Sequence, residues 1–456
     1  MKKLERRALL CLVLAGFLLA GLVLFLFRFG TDGSHWASSP FNRHLYNSDG
    51  VLLSGTVLDR DGDVLSSVNA KGQRTYADGK TRRKATLHVV GDPSGNIGTG
   101  ALSAFAKQLT GYSLLGGAYG AEQGSDLYLT IDADLNETAY NALNGRKGTV
   151  AVYNYKTGEI LCLVSAPSYD PRNVPGDLET NEKYQGVYLN RFLSSTFTPG
   201  SVFKTVTLAA ALEKLPDLEE RTWICEGSMQ IGADVVTCTA AHGAQTIEDA
   251  LANSCNVVFG QLAEELGGDT LAQYAKKAGL TSSYSINGIP TAKGSFSFGS
   301  EVSPTDLAWA GVGQYHDSVN PCALMVYMGA IANGGKAAVP ALIQKVEHPG
   351  LPALPQFTRK TGQLIQPDTA QKVADMMANN VTASYGTKRF PNMDLCAKSG
   401  TAEVGPDQKP HAWFTGFLRD EDTPYAFVVL VENGGSGASA AGDVASKVLK
   451  AAVKSS

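Results

Sequence analysis

Basic charge is in short supply in this sequence: 39 Lys and Arg stand against 43 Asp and Glu, a net of -4. That balance gives no electrostatic reason to expect a nucleic-acid partner. None of the seven cysteines forms a C-x-x-C pair and none of the seven histidines an H-x-x-x-H pair. Their scatter argues against a zinc site, a thioredoxin-like motif or a metallohydrolase, so no metal or cofactor is expected. No G-x-S-x-G elbow and no P-loop occur. The 49 glycines and 19 prolines are dispersed rather than periodic, and there is no convincing internal repeat. After residue 30 no apolar run approaches membrane-spanning length.

One such run is present at the N-terminus. Lys2, Lys3, Arg6 and Arg7 precede the twenty uncharged residues Ala8 to Phe27. At about 1.5 Å per residue these span a hydrocarbon core. Basic residues before the span keep the N-terminus cytoplasmic and send the remainder outside. A cleaved signal peptide is the alternative. The run is long for one and no A-x-A site follows, so an uncleaved signal anchor over 1–30 is preferred. Cys225 and Cys238 are close enough in sequence to pair in an oxidising compartment, although buried free cysteine is the commoner state.

A polar tether over 30–50 leads into a small mixed module, 31–146. Within it "GTVLDRDGDVLSSV" reads as a hairpin about Asp61-Gly62, "RRKATLHVVGD" as a strand and "ALSAFAKQLTG" as a short helix ending at Gly111. From Gly148, two strands flank the turn Lys156-Thr157-Gly158. A helix-rich stretch runs from about Tyr184 to Asn333, in which "IEDALANSCNVVFGQLAEEL" reads as helical. "DLCAKSGTAEV", "HAWFTGF" and "YAFVVLVEN" read as three strands, and "AGDVASKVLKAAVK" as a closing helix. Two early strands and three late ones predict a five-stranded antiparallel sheet with helices on both faces, an α+β domain over 147–456.

Chemistry is suggested by one lysine. "TPGSVFKTVTLAAAL" is apolar on nearly all sides, and a buried ammonium is costly unless paired or neutralised. Ser201 and Lys204, at i and i+3, share a helical face, so the amine can take the serine proton. S-x-x-K alone is weak. Of five S-x-N triplets, Ser67 precedes the larger domain and Ser94, Ser285 and Ser318 occupy turn-like contexts. Ser254-Cys255-Asn256 stands out. Of three K-[ST]-G triplets, those at Lys156 and Lys360 fall in a turn and an irregular region. Lys398-Ser399-Gly400 follows a strand, where Lys398 can line a cleft, Gly400 can permit close substrate approach, and Ser399 and Thr401 offer hydroxyls to a carboxylate.

In this order and spacing the three elements resemble the penicillin-binding transpeptidase family, whose domain shares the serine β-lactamase-like fold. "HGAQTIEDALANSCNVVF", "MGAIANGGKAAVPALI" and "HAWFTGF" also look like segments of that domain, and coverage runs from about residue 147 onward. "GTVLDRDGDVLSS" is similar to the N-terminal hairpin of class B members, with Ser54 where Arg usually precedes Gly. The short module looks closest to the compact penicillin-binding protein A-type members. The resemblance implies a D,D-transpeptidase that cross-links peptidoglycan stem peptides ending in D-Ala-D-Ala and is acylated by β-lactams. It implies Ser201 as nucleophile, Lys204 as base, Ser254 as proton relay and Lys398 as its partner. Asn256 would hold a side-chain amide, Ser399 and Thr401 the terminal carboxylate, and the backbone N–H groups of Ser201 and Thr401 the oxyanion. With no glycosyltransferase domain fitting in 31–146, a SEDS-type glycan polymerase is the implied partner. A D,D-carboxypeptidase, a β-lactamase or a non-catalytic penicillin sensor on the same fold are the alternatives. His411 reads as a structural strand residue near the cleft.

Overall fold

The computed structural model describes residues 2–37, 54–110, 112–113, 117–118, 124–298, 302–348 and 357–455. From residue 38 the expected tether lies outside them, as does the helix-ending Gly111. Helix α1, Lys2–Ala37, contains the single described segment long and apolar enough to cross a membrane, Lys3–Gly33, and its apolar window is wholly exposed.

The expected hairpin forms: Val57–Leu58 pairs antiparallel with Val64–Val68. Asp59 closes the turn by accepting from the Asp61 and Asp63 N–H groups at 3.0 and 2.8 Å. Arg74–Tyr76 and Asp126–Leu129 extend this sheet, and Ile343–Glu347 completes it from far along the chain. The 101–110 helix is broken in two at Phe105.

The strand expected in "RRKATLHVVGD" is instead helix α2, Lys80–Val90. A short run of mixed β-branched and polar residues does not distinguish strand from helix by period, and packing decides. Here Leu87 packs with Ile97 and Tyr169 while Val89 and Val90 join the main core, so the segment is buried in two directions at helical spacing. Arg83 fixes it, forming a bidentate pair with Asp170 at 2.6 and 2.9 Å.

Helix α3, Ala133–Leu143, leads into the central sheet. Its strands are β1 Gly148–Asn154, β2 Ile160–Ala166, β3 Leu395–Ala402, β4 His411–Leu418 and β5 Tyr425–Val431. The spatial order is β3-β4-β5-β1-β2, antiparallel throughout. Alternate residues serve opposite faces. Ala426, Val428 and Leu430 of β5 face the core built on helix α4, Lys204–Lys214. Tyr425, Phe427, Val429 and Val431 face the other core, which includes Leu135 and Ala139 of α3.

The expected long helix from Ile247 is two helices, α5 Ile247–Ala252 and α6 Asn256–Leu266. The helix-rich middle also contains a hairpin and a second strand pair that encloses it within 223–245. Helix α7, Pro321–Ala332, is apolar but buried throughout its first eleven residues, a core element under the sheet. Helix α8, Pro367–Asn380, and the closing α9, Gly442–Ala452, complete the two helical layers.

Candidate active site

Ser201 sits in a single 3-10 turn, Gly200–Val202, that feeds α4. The turn is pinned by backbone contacts that need glycine. Gly200 has φ +57, its N–H donates to the Gly313 carbonyl at 2.8 Å, and a Cβ there would lie 2.6 Å from the Thr401 carbonyl oxygen. That contact sets the backbone of residues 200–201 beside Thr401 on β3.

Lys204, the first residue of α4, is fully buried. Its amine donates to the Ser254 carbonyl at 2.6 Å, the Asn256 Oδ1 at 2.8 Å and the Ser254 Oγ at 3.3 Å. Lys398 comes from β3, where Cys396 and Ala402 mark the face turned toward α4, and it too is fully buried. Its amine donates to the same Ser254 Oγ at 2.9 Å and to the Ser399 carbonyl at 3.0 Å. Burial pushes Lys204 down to about 7, against an opposing pull from the nearby Cys238 and Cys255 sulfurs. Burial and then the neighbouring Lys204 push Lys398 well below the ordinary lysine range. Two ammonium groups on one hydroxyl repel, so the pair favours holding a single proton.

Ser254 is not on a helix. It occupies the left-handed position after α5, with φ +53. Its N–H donates to the Leu251 carbonyl and the Cys255 N–H to the Ala250 carbonyl, at 3.1 and 2.9 Å. This is the Schellman closure of a helix C-terminus, with serine where glycine is the usual occupant. A capping box between Thr246 and Asp249 fixes the other end of α5, so the turn is held from both sides. Asn256 opens α6 with Oδ1 on Lys204 and Nδ2 on the Thr237 carbonyl at 2.9 Å.

Above this group lies a cleft of about 900 Å³ whose lining includes Ser201, Ser254, Asn256, Ser399 and Thr401. The structure thus gathers the residues of all three motifs, with one difference at the first. The expected contact between Ser201 and Lys204 is not a hydrogen bond: the amine turns to Ser254 and Asn256, and the Ser201 hydroxyl has no partner among the described residues. Gly400 also differs from expectation. It is buried, and a Cβ there would lie 2.9 Å from Val202 Cγ1 and 3.0 Å from the Pro199 carbonyl oxygen. Its bareness admits the nucleophile turn rather than substrate.

Tyr385 and Gln314 of the cleft lining, and the buried Asn380 beside β3, carried no sequence signal. Tyr385 accepts from the Ser399 N–H at 2.8 Å and shares a 3.1 Å hydrogen bond with the Ser399 hydroxyl. The Gln314 Nε2 donates to the Thr401 carbonyl at 3.3 Å, and Asn380 Nδ2 ties α8 to the Ala397 carbonyl at 2.9 Å. His411 opens β4, accepts from the Asn433 N–H at 3.1 Å and meets the Phe197 ring edge-on at 5.7 Å. The other K-[ST]-G triplets lie outside the cleft lining. All cysteines are free, so the Cys225–Cys238 pairing does not form. Against the expectation of no metal-ligand cluster, Cys225, Cys238, His242 and Cys255 converge from within residues 225–255, at spacings that the C-x-x-C and H-x-x-x-H patterns do not cover.

Residues 148–454 match the family described as the penicillin binding protein transpeptidase domain. The chain belongs to that family. Among its relatives is the peptidoglycan D,D-transpeptidase PbpA of Mycolicibacterium smegmatis, 30% identical over 348 residues that cover 70% of each chain. Among solved structures, the D,D-transpeptidase domain of a peptidoglycan glycosyltransferase from Eggerthella lenta superposes with a TM-score of 0.77 at 30% identity, covering 88% of this chain and 98% of that one. Penicillin-binding protein A of M. tuberculosis, solved as its penicillin G acyl-enzyme complex, superposes with a TM-score of 0.76 at 25% identity, covering 88% and 99%.

Proposed function

We propose that the chain is a membrane-anchored class B peptidoglycan D,D-transpeptidase that cross-links stem peptides through an acyl-enzyme on Ser201 and is acylated there by β-lactams. One observation carries the reading: the Ser254 hydroxyl lies between the Lys204 and Lys398 amines, at 3.3 and 2.9 Å, in a cleft lined also by Ser201, Asn256, Ser399 and Thr401.

The chemistry follows from that arrangement. The Ser201 oxygen attacks the penultimate D-alanine carbonyl as its proton passes to a neutral Lys204, a contact that tightens when substrate displaces the resting hydrogen bonds. The developing oxyanion takes the Ser201 and Thr401 backbone N–H groups, a role supported by the close approach of Gly200 to the Thr401 carbonyl. Ser254, with Lys398 behind it, relays the proton to the leaving nitrogen, so the C–N bond breaks and D-alanine departs. Asn256 hydrogen-bonds the peptide amide, and Ser399 and Thr401 hold the terminal carboxylate. A neighbouring peptide's amine then attacks the ester and restores the Ser201 hydroxyl.

The relatives named D,D-transpeptidases favour an amine acceptor over water. Glu264 and Glu265 support no hydrolytic variant, since both lie outside the cleft lining and Glu265 pairs with Arg221 at 2.9 Å. The positive cluster before the α1 span places the N-terminus in the cytoplasm and residues 31–146 and 147–456 outside it, as module and catalytic domain. A SEDS-type polymerase supplying glycan strands is the proposed partner. Labelling of full-length protein with a fluorescent penicillin tests the nucleophile: wild type forms a stable adduct and Ser201→Ala forms none. Equal labelling of the two, or rapid release of hydrolysed penicillin by wild type, defeats the reading.

A further inference from the structure

Beside Asn256, and reaching the cleft through Cys238, which is part of its lining, three thiols and one imidazole meet. The Sγ atoms of Cys225, Cys238 and Cys255 and a ring nitrogen of His242 all lie within 4.8 Å of one another. Cys238 Sγ is 3.8 Å from Cys255 Sγ and 3.7 Å from His242 Nδ1. A tetrahedral zinc ion with Zn–S legs of about 2.3 Å and Zn–N legs of about 2.0–2.1 Å has edges of about 3.6–3.8 Å. Both of these separations match those edges. The four residues come from a strand end, the end of a hairpin, a loop and the N-cap of α6.

The surrounding subdomain has little else to hold it. Residues 223–245 form two two-stranded sheets, the hairpin Ser228–Ile231 with Asp234–Thr237 and the enclosing pair Trp223–Cys225 with Gly243–Gln245. Within them Ile224 is 67% exposed and Val235 45% exposed, and Val236 is the one fully buried aliphatic side chain. Two-stranded hairpins are marginal alone, and small elements without a core need a staple such as a structural metal.

We propose that Cys225, Cys238, His242 and Cys255 form a closed structural zinc site that positions the Ser254 turn. Three thiolates and an imidazole are a soft, four-coordinate donor set suited to zinc, and they leave no open position for hydrolytic chemistry. Binding releases the three thiol protons to solvent while His242 binds neutral. Cys255 stands between Ser254 and Asn256, so fixing its sulfur fixes both neighbours. The Asn256 N–H donates to Cys238 Sγ at 3.2 Å, the kind of outer hydrogen bond that orients a thiolate ligand. Asn256 Nδ2 holds the same hairpin through the Thr237 carbonyl. The four ligands are positioning residues: they act on the site through the turn.

The test is the metal content of full-length protein purified in detergent with reductant and no added metal, a measurement independent of the acyl-transfer reading. About one zinc per chain is expected. Cys225→Ser and His242→Ala, both outside the cleft lining, should each hold less than about a tenth of that at equal chelator. Replacement by Co²⁺ should give thiolate-to-metal charge-transfer bands and tetrahedral ligand-field absorption. Stripping zinc should slow fluorescent-penicillin acylation about ten- to hundred-fold, and stoichiometric Zn²⁺ should restore it. Wild-type protein isolated without zinc, a Cys238–Cys255 disulfide, or wild-type zinc content in both variants would overturn the site. Unchanged acylation after stripping would overturn its positioning role.

Discussion

A lysine inside an apolar helix must either be paired or give up its proton, and Lys204 does part of each. Its three acceptors satisfy the amine, while complete burial pushes it down to about 7. A general base acts in its neutral form, whose fraction grows as pH rises through that value. The second-order rate of acylation by a penicillin should therefore climb between about pH 6 and 8 and level off above, read by stopped-flow labelling. A rate that falls over that range would exclude a neutral Lys204 as base. Lys204→Arg preserves the charge but cannot deprotonate, and should cost about 10²–10⁴-fold in acylation. At this scale the sequence was informative where residue type is chemically costly: a lysine at 204 and another at 398 are hard to bury without purpose. It was silent on Tyr385 and Gln314. Their hydroxyl and amide are ordinary residues in any loop, and only tertiary placement turns them toward Ser399 and Thr401.

At the element scale, the site depends on how helices stop and strands approach. Ser254 holds a left-handed conformation that glycine adopts freely and other residues adopt at a cost of about 1–2 kcal/mol. Ser254→Gly should melt higher than Ser254→Ala, by about that energy, in a thermal-shift comparison. Both should lose rapid acylation, since both lack the hydroxyl shared by Lys204 and Lys398. Equal stability of the two would remove the claim of strain at this turn. Gly400→Ala places a methyl 2.9 Å from Val202 Cγ1 and 3.0 Å from the Pro199 carbonyl oxygen. It should cost about 1–3 kcal/mol and slow acylation by parting β3 from the nucleophile turn. The strands were legible because buried runs such as "YAFVVLV" lie between clear turns. The break inside "DALANSCNVV" was not, because the serine that ends α5 is there for its hydroxyl, and the usual glycine stop signal is missing. The strand misread at Lys80–Val90 fails for a related reason: its partner is an aspartate at 170, invisible to local pattern.

Across the whole molecule, the proposed module and catalytic domain are continuous. Ile343–Glu347 supplies an edge strand to the module's sheet, and α3 packs in the same core as β1, β2 and β5. The Arg83–Asp170 pair fastens the module's α2 to the segment after β2, with side chains 7% and 4% exposed. Arg83 also donates to the Ala77 and Asp78 carbonyls at 2.8 and 2.5 Å, so its donors are largely occupied. The guanidinium holds the Asp170 carboxyl well below the usual carboxylate range. A carboxyl depressed in the folded state contributes stability above its unfolded value, near pH 4, and loses it as pH falls toward the folded one. Removing one partner leaves the other charge buried and unpaired, at a cost of about 3–5 kcal/mol. Arg83→Ala should therefore lower the thermal midpoint strongly at pH 7. Because the cleft lies elsewhere, the protein still folded at low temperature should take up fluorescent penicillin at the wild-type rate. Replacing both partners, Arg83→Met with Asp170→Asn, should recover part of the loss by removing the stranded charge. If Arg83→Ala costs under about 1 kcal/mol, the pair behaves as a surface bridge, and the module is held instead by its shared strand and core.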